Sequence, residues 1–102
     1  MKRIEIMMTQ AIEVDFVKLY ERACRVAEIK CKYTKIDNIM GQGNTNPKLG
    51  DAIWPQLNVM FILMIEDKYV GVIRNIMKNL HKTYVGEGAA AFISDVADVE
   101  EL

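Results

Sequence analysis

The chain has 102 residues, 51% of them apolar and 26% charged, with a formal net charge of −1. That length holds one domain and not two, and the near-neutral balance lacks the basic excess expected of a general nucleic-acid binder. The longest apolar run, residues 59–65, falls far short of the roughly 20 residues a membrane-spanning helix needs.

The opening "MKRIEIMM" is too short and too charged for a signal core, so a cytoplasmic location with reduced thiols is expected. Over residues 3–9, Ile4 and Ile6 alternate with Arg3, Glu5 and Met7, the pattern of a strand with one face on a core. Ile12, Phe16, Leu19, Tyr20, Ala23 and Ala27 then form one helical stripe over residues 12–28. Residues 30–39, "KCKYTKIDNI", carry β-branched and aromatic side chains and predict a strand with a register change near Ile36. Its Lys30, Lys32 and Lys35 either protect a sheet edge or line a cleft that attracts an anion.

A long polar stretch follows, "MGQGNTNPKLGDAIWPQLN". Loops of this length inside compact domains are uncommon and are usually functional or disordered. Residues 57–66 read as a strand, and both of its alternating sets, Met60/Ile62/Met64 and Val59/Phe61/Leu63/Ile65, are apolar. Asp67 is placed to cap a second helix, whose stripe is Val70, Ile73, Ile76, Met77 and Leu80. Gly71 weakens that helix, and His81 and Lys82 suit its C-terminal dipole. "VGEG" ends the helix, "AAAFIS" predicts a short last strand, and "DVADVEEL" is an acidic tail with room for a helical turn.

The order is β-α-β, long loop, β-α-β, which defines an α+β ferredoxin-like (βαββαβ) single domain over residues 1–102. Its antiparallel sheet carries two helices on one face. The apolar second face calls for cover, and the simplest cover is further copies of the same chain in a closed homo-oligomer.

Chemistry-bearing residues are sparse. Cys24, Cys31, one histidine and seven methionines are either core hydrophobes or ligands for a soft metal. No nucleophile and base stand at a recognisable spacing, so no enzyme is expected and no catalytic residue is assigned. Gly86-Glu87-Gly88 is either an ordinary turn or a ligand-binding one.

In its order of motifs the chain resembles the PII signal-transduction family of nitrogen regulation, in a short PII-like branch. "MKRIEIMM" is similar to the family's opening strand. "GQG" at 41–43 resembles the start of its T-loop, and "VGEGAAAFI" at 85–93 resembles its B-loop and final strand. "PQLNVMFILMIEDKYVGVIRNI" is similar to the strand and helix between them. The resemblance implies a homotrimer that binds a small anionic effector, an adenine nucleotide such as ATP or ADP, in clefts between subunits. It also implies a regulated protein partner, a membrane transporter or an enzyme, engaged by the loop.

On that resemblance the ligand-binding residues are Gly41, Gln42, Gly43, Lys35, Gly86, Glu87 and Gly88, with 83–89 as the B-loop-like turn. Asn44, Lys48, Asp51 and Trp54 belong to a partner-binding T-loop-like segment, residues 41–56, free to move, with Trp54-Pro55 anchoring its return to the sheet. The chain departs from the family at Ala89, where a phosphate-binding lysine is usual, at Glu87 for Asp, and in a tail without Arg or Lys. Lys82 and His81 are the nearest cations in sequence, with Lys35 or Lys48 supplied by a neighbouring subunit, and backbone N–H groups around the glycines can form an anion nest. The alternative is a divalent-metal-tolerance protein like CutA, which shares the architecture.

Overall fold

The computed structural model describes residues 1–100. The chain runs through β1 (Lys2–Thr9), a 3₁₀ turn (Gln10–Ile12), α1 (Glu13–Ala27), β2 (Thr34–Ile39), β3 (Asn58–Ile65), a second 3₁₀ turn (Asp67–Tyr69), α2 (Val70–Thr83) and β4 (Ala89–Asp95). The strands form one sheet in the order β2-β3-β1-β4, and every neighbouring pair is antiparallel. This is the expected ferredoxin-like α+β fold.

Alternation along the strands decides which face the helices cover. Ile4, Ile6 and Met8 of β1 and Val59, Phe61, Leu63 and Ile65 of β3 are buried in one cluster with the helices. Ile12 leads into α1, where Phe16, Tyr20 and Cys24 follow at four-residue spacing and are buried. That spacing keeps them on one side of a helix. Cys24 thus takes a place in the stripe, and Leu19 and Ala23 flank it, partly buried. Ile73, Ile76, Met77 and Leu80 of α2 complete the core as expected. The rings of Phe16 and Phe61 meet at 4.8 Å between centroids, and Phe16 also stacks on Tyr20 at 5.9 Å.

Three local expectations need correction. Strand pairing begins at Thr34, not Lys30. Glu28 ends α1 in the left-handed region at φ 56°, and the Tyr20 hydroxyl donates to the Lys32 carbonyl at 2.7 Å, holding this segment against the helix. Asp67 does not cap α2. It lies in the preceding 3₁₀ turn, α2 has no side-chain cap, and the Asp67 carboxylate meets the Met1 amine at 3.1 Å. Residues 96–100 of the tail hold no helical turn, and its last two residues lie outside the described residues.

The register change near Ile36 is present. Ile36 pairs with Met60 and Ile39 with Asn58, so β2 carries one extra residue there, and Asn38 takes φ 55°. This is a bulge.

Opposite the helices, the pairing register brings Met7, Met60, Ile62, Met64, Ile36, Ala90 and Phe92 onto one uncovered face, together with the ion-paired Arg3 and Glu5 of β1. Phe92 is 60% exposed and Ile36 and Met64 about 40%. Among the described residues no helix is long and apolar enough to cross a membrane.

Phe16→Ala is expected to lower the unfolding free energy by about 3–5 kcal/mol, because a fully buried ring leaves a cavity. Gly71→Ala should raise it by about 0.5–1 kcal/mol, since an added Cβ there meets nothing within 4 Å. Urea titration at one fixed protein concentration checks both.

Candidate functional site

The C-terminal end of β1 fastens two chain segments that are far apart in sequence. Thr9 N–H donates to the Gly88 carbonyl at 3.0 Å, and Gln10 N–H donates to the Leu57 carbonyl at 3.1 Å. The first bond holds the turn between α2 and β4; the second holds the return of the long loop.

The loop is stitched internally. Gly41 and Lys48 exchange two backbone hydrogen bonds of 2.8 Å, closing a lobe of residues 41–48. Beyond it, Gly50 N–H donates to the Gln56 carbonyl and Asp51 N–H to the Trp54 carbonyl. The Asp51 carboxylate accepts from the N–H groups of Ile53 and Trp54 at 3.0 and 2.6 Å, an Asx turn. Gly50 sits at φ 68°, and a Cβ there would come within 2.9 Å of Leu57 Cδ2. Leu57 therefore packs over the loop's return, while Trp54 is half-buried and Ile53 at the tip is exposed.

Between the 41–48 lobe and the turn leading into β4 lies a cleft of about 370 Å³, floored by Met7, Met8 and Asn58. Two glycines let its walls close. A Cβ on Gly88 would stand 3.0 Å from Thr45 Oγ1, and one on Gly41 only 2.6 Å from Asn58 Nδ2. Gln42, Asn44, Thr45 and Asn46 line the loop side with hydroxyl and amide groups. Among the described residues lining the cleft, Lys48 is the one cation and Glu87 the one carboxylate.

Lys48 is only 5% exposed. Its ammonium donates to the Asn46 carbonyl at 2.7 Å, and among the described residues it forms no ion pair. The cleft thus holds a buried ammonium that is not paired with the one carboxylate in its lining, Glu87, an arrangement that is costly unless a partner is supplied.

Of the residues expected to bind a ligand, Gly41, Gln42, Gly43, Glu87 and Gly88 share this cleft, joined by Asn44 and Lys48 from the expected partner-binding set. Gly86 shapes the adjoining turn at φ 87°. Asp51 and Trp54 lie in the loop tip. Lys35 lies elsewhere: its ammonium stands 2.9 Å from Glu13 and 3.3 Å from Asp37, and these carboxylates raise its pKa. His81 Nε2 is 2.8 Å from the Ala89 carbonyl. Sequence reasoning missed Asn58, a lone polar residue at the start of the most apolar strand, and Asn46, whose carbonyl holds Lys48. At the turn's start the Tyr84 hydroxyl donates to Asp15, tying the end of α2 to α1.

A metal centre would need clustered donors. Among the described residues no three His, Cys, Asp or Glu side chains come together in a way that could hold an ion. Cys24 is buried and Cys31 half-buried, both as free thiols. Burial, and then neighbouring Cys24, push the Cys31 thiol up to about 11.

The fold is shared with solved structures of nitrogen regulatory PII-like proteins. In particular, the chain is similar to CPII from Thiomonas intermedia K12, bound in one structure to ADP, AMP and bicarbonate, with a TM-score of 0.72 and 21% identity over 93% of this chain and 84% of that one. A second CPII structure, bound to ADP and bicarbonate, matches with a TM-score of 0.69, 20% identity and the same coverage. A protein of Thermus thermophilus described as PII-like signalling matches with a TM-score of 0.58 and 18% identity, over 93% of this chain and 85% of that one. No family model and no curated protein matches the sequence.

A thiol raised this far is protonated at pH 8 and unreactive, because the thiolate is the nucleophile. Cys31 is expected to react with Ellman's reagent at least tenfold more slowly than a free thiol at that pH. A fast stoichiometric phase would contradict the environment described.

Proposed function

We propose that this chain is a PII-like regulatory protein of the cytoplasm rather than an enzyme. It binds a small anionic effector, an adenine nucleotide or an accompanying oxyanion, in the cleft between the 41–48 lobe and the Glu87-Gly88 turn. It reports occupancy to a regulated protein, a transporter or an enzyme, through the loop of residues 41–56. The observation that carries this reading is the cleft itself. Two segments some forty residues apart converge on it, and its buried Lys48 forms no ion pair among the described residues. The ligands of the similar CPII structures, ADP, AMP and bicarbonate, are of the chemistry such a cleft suits.

The uncovered sheet face supports a homotrimer. Exposed apolar surface of this kind marks an interaction site, and three copies arranged about one axis would bury Phe92, Ile62 and Met60 against their equivalents, with the Arg3–Glu5 ion pair set among them. The cleft would then lie at a seam where a neighbour can complete it. Nothing among the described residues favours the CutA-like metal reading, and the charge balance gives no footprint for nucleic acid.

Isothermal titration with AMP, ADP, ATP and bicarbonate is expected to show binding by at least one of them, saturating at one site per chain. Silence from all four at millimolar concentration would remove the effector from this account. Light scattering after size exclusion should give three times the chain mass, and Phe92→Glu should shift the protein to smaller species. A wild-type monomer would overturn the assembly.

A further inference from the structure

The charge inventory of the cleft says which anion it is built for, granted the effector-binding reading above. An ammonium has three N–H donors. Lys48 spends one on the Asn46 carbonyl, and its aliphatic stem is enclosed, so the head group is held in place before any ligand arrives. The same cleft is lined by the amide side chains of Gln42, Asn44 and Asn58 and by Glu87. Lys48 and Glu87 together carry no net charge. A triphosphate brings about four negative charges and is normally met by several cations; here it would leave most of them facing amides and one carboxylate. A single oxyanion needs only Lys48 and the amide N–H groups.

We propose that Lys48 is the specificity-determining cation of the cleft. Its ammonium receives one compact oxyanion group, so the site prefers a ligand with a single such group over a polyphosphate. That oxyanion can be the phosphate of a nucleoside monophosphate or free bicarbonate, and the two sources separate experimentally.

The test is calorimetric titration of the full chain and its Lys48→Met, Lys48→Arg and Glu87→Gln variants with AMP, adenosine, ATP and sodium bicarbonate. If the oxyanion is a nucleotide phosphate, AMP binds wild type at least tenfold more tightly than ATP. Lys48→Met then weakens AMP at least tenfold and leaves adenosine unchanged. If it is free bicarbonate, AMP binds no better than adenosine, and Lys48→Met weakens bicarbonate at least tenfold. In either case Lys48→Arg, which keeps the charge, retains more affinity than Lys48→Met. Lys48 joins the lobe through its backbone, so Lys48→Met should fold. Were it not to fold, Glu87→Gln decides, by improving ATP binding at least threefold relative to AMP or, for the bicarbonate source, by tightening bicarbonate binding at least threefold. The proposal is overturned by ATP binding as tightly as whichever of AMP and bicarbonate binds the more tightly, by unchanged affinity for that ligand in Lys48→Met, or by Glu87→Gln without effect. Those results leave the effector reading standing; failure of all the ligands to bind wild type removes both.

Discussion

Phe16 of α1 lies against Phe61 of β3, ring on ring, and neither has any exposed surface. Phe61 sits midway along the central strand pair, so this contact seats α1 over the middle of the sheet. The four-residue spacing of Ile12, Phe16, Tyr20 and Cys24 makes every turn of the helix contribute to the same seam. With the layer fixed, the end of β1 is held firmly enough to act as a post. Its last residue, Thr9, has no exposed surface and carries the turn before β4 on its N–H; the next residue, Gln10, carries the return of the long loop. The cleft exists because one rigid strand end holds two loops side by side.

The electrostatics of that cleft follow from what the loops are made of. Asn, Gln, Thr and Gly supply donors and acceptors without charge, and glycine at 41 and 88 lets backbone and side chains approach closely. Against this largely uncharged lining stand one buried ammonium, Lys48, and one carboxylate, Glu87. Other basic side chains are engaged elsewhere: Lys35 with Glu13 and Asp37, and the His81 ring with the Ala89 carbonyl. Local charge at the site is therefore set by very few groups, and changing one of them alters the balance substantially.

Much of the fold was legible because hydrophobic periodicity is a strong signal. The alternation in "KRIEIMMT" and the helical stripes of α1 and α2 report the buried faces directly, and β3, apolar on both sides, signals a sheet with a second face to cover. The bulge after Ile36 was also visible, in a strand whose alternation breaks. The start of β2 was not, because Tyr20's hydrogen bond to the Lys32 carbonyl is a tertiary contact that no local pattern reports. Asp67 has the composition of a cap, yet its carboxylate meets the chain's amine. In the site, the glycines and Glu87 were found by motif order, while the partners of Lys35 and the enclosure of Lys48 depend on elements distant in sequence. A lysine in a polar loop ordinarily reads as solvent-facing, and nothing local distinguishes this one.

The loop's internal hydrogen bonds bear on how it would be recognised. A slack segment of this length must be ordered by whatever grips it, and the lost conformational freedom weakens the grip. Here the pairing of Gly41 with Lys48, of Gly50 with Gln56 and of Asp51 with Trp54 already fixes much of the backbone, leaving Ile53 projecting as a knob. A receptor would meet a preshaped key, and any reorientation would turn the segment as one piece about its two attachments, like a weathervane on its spindle.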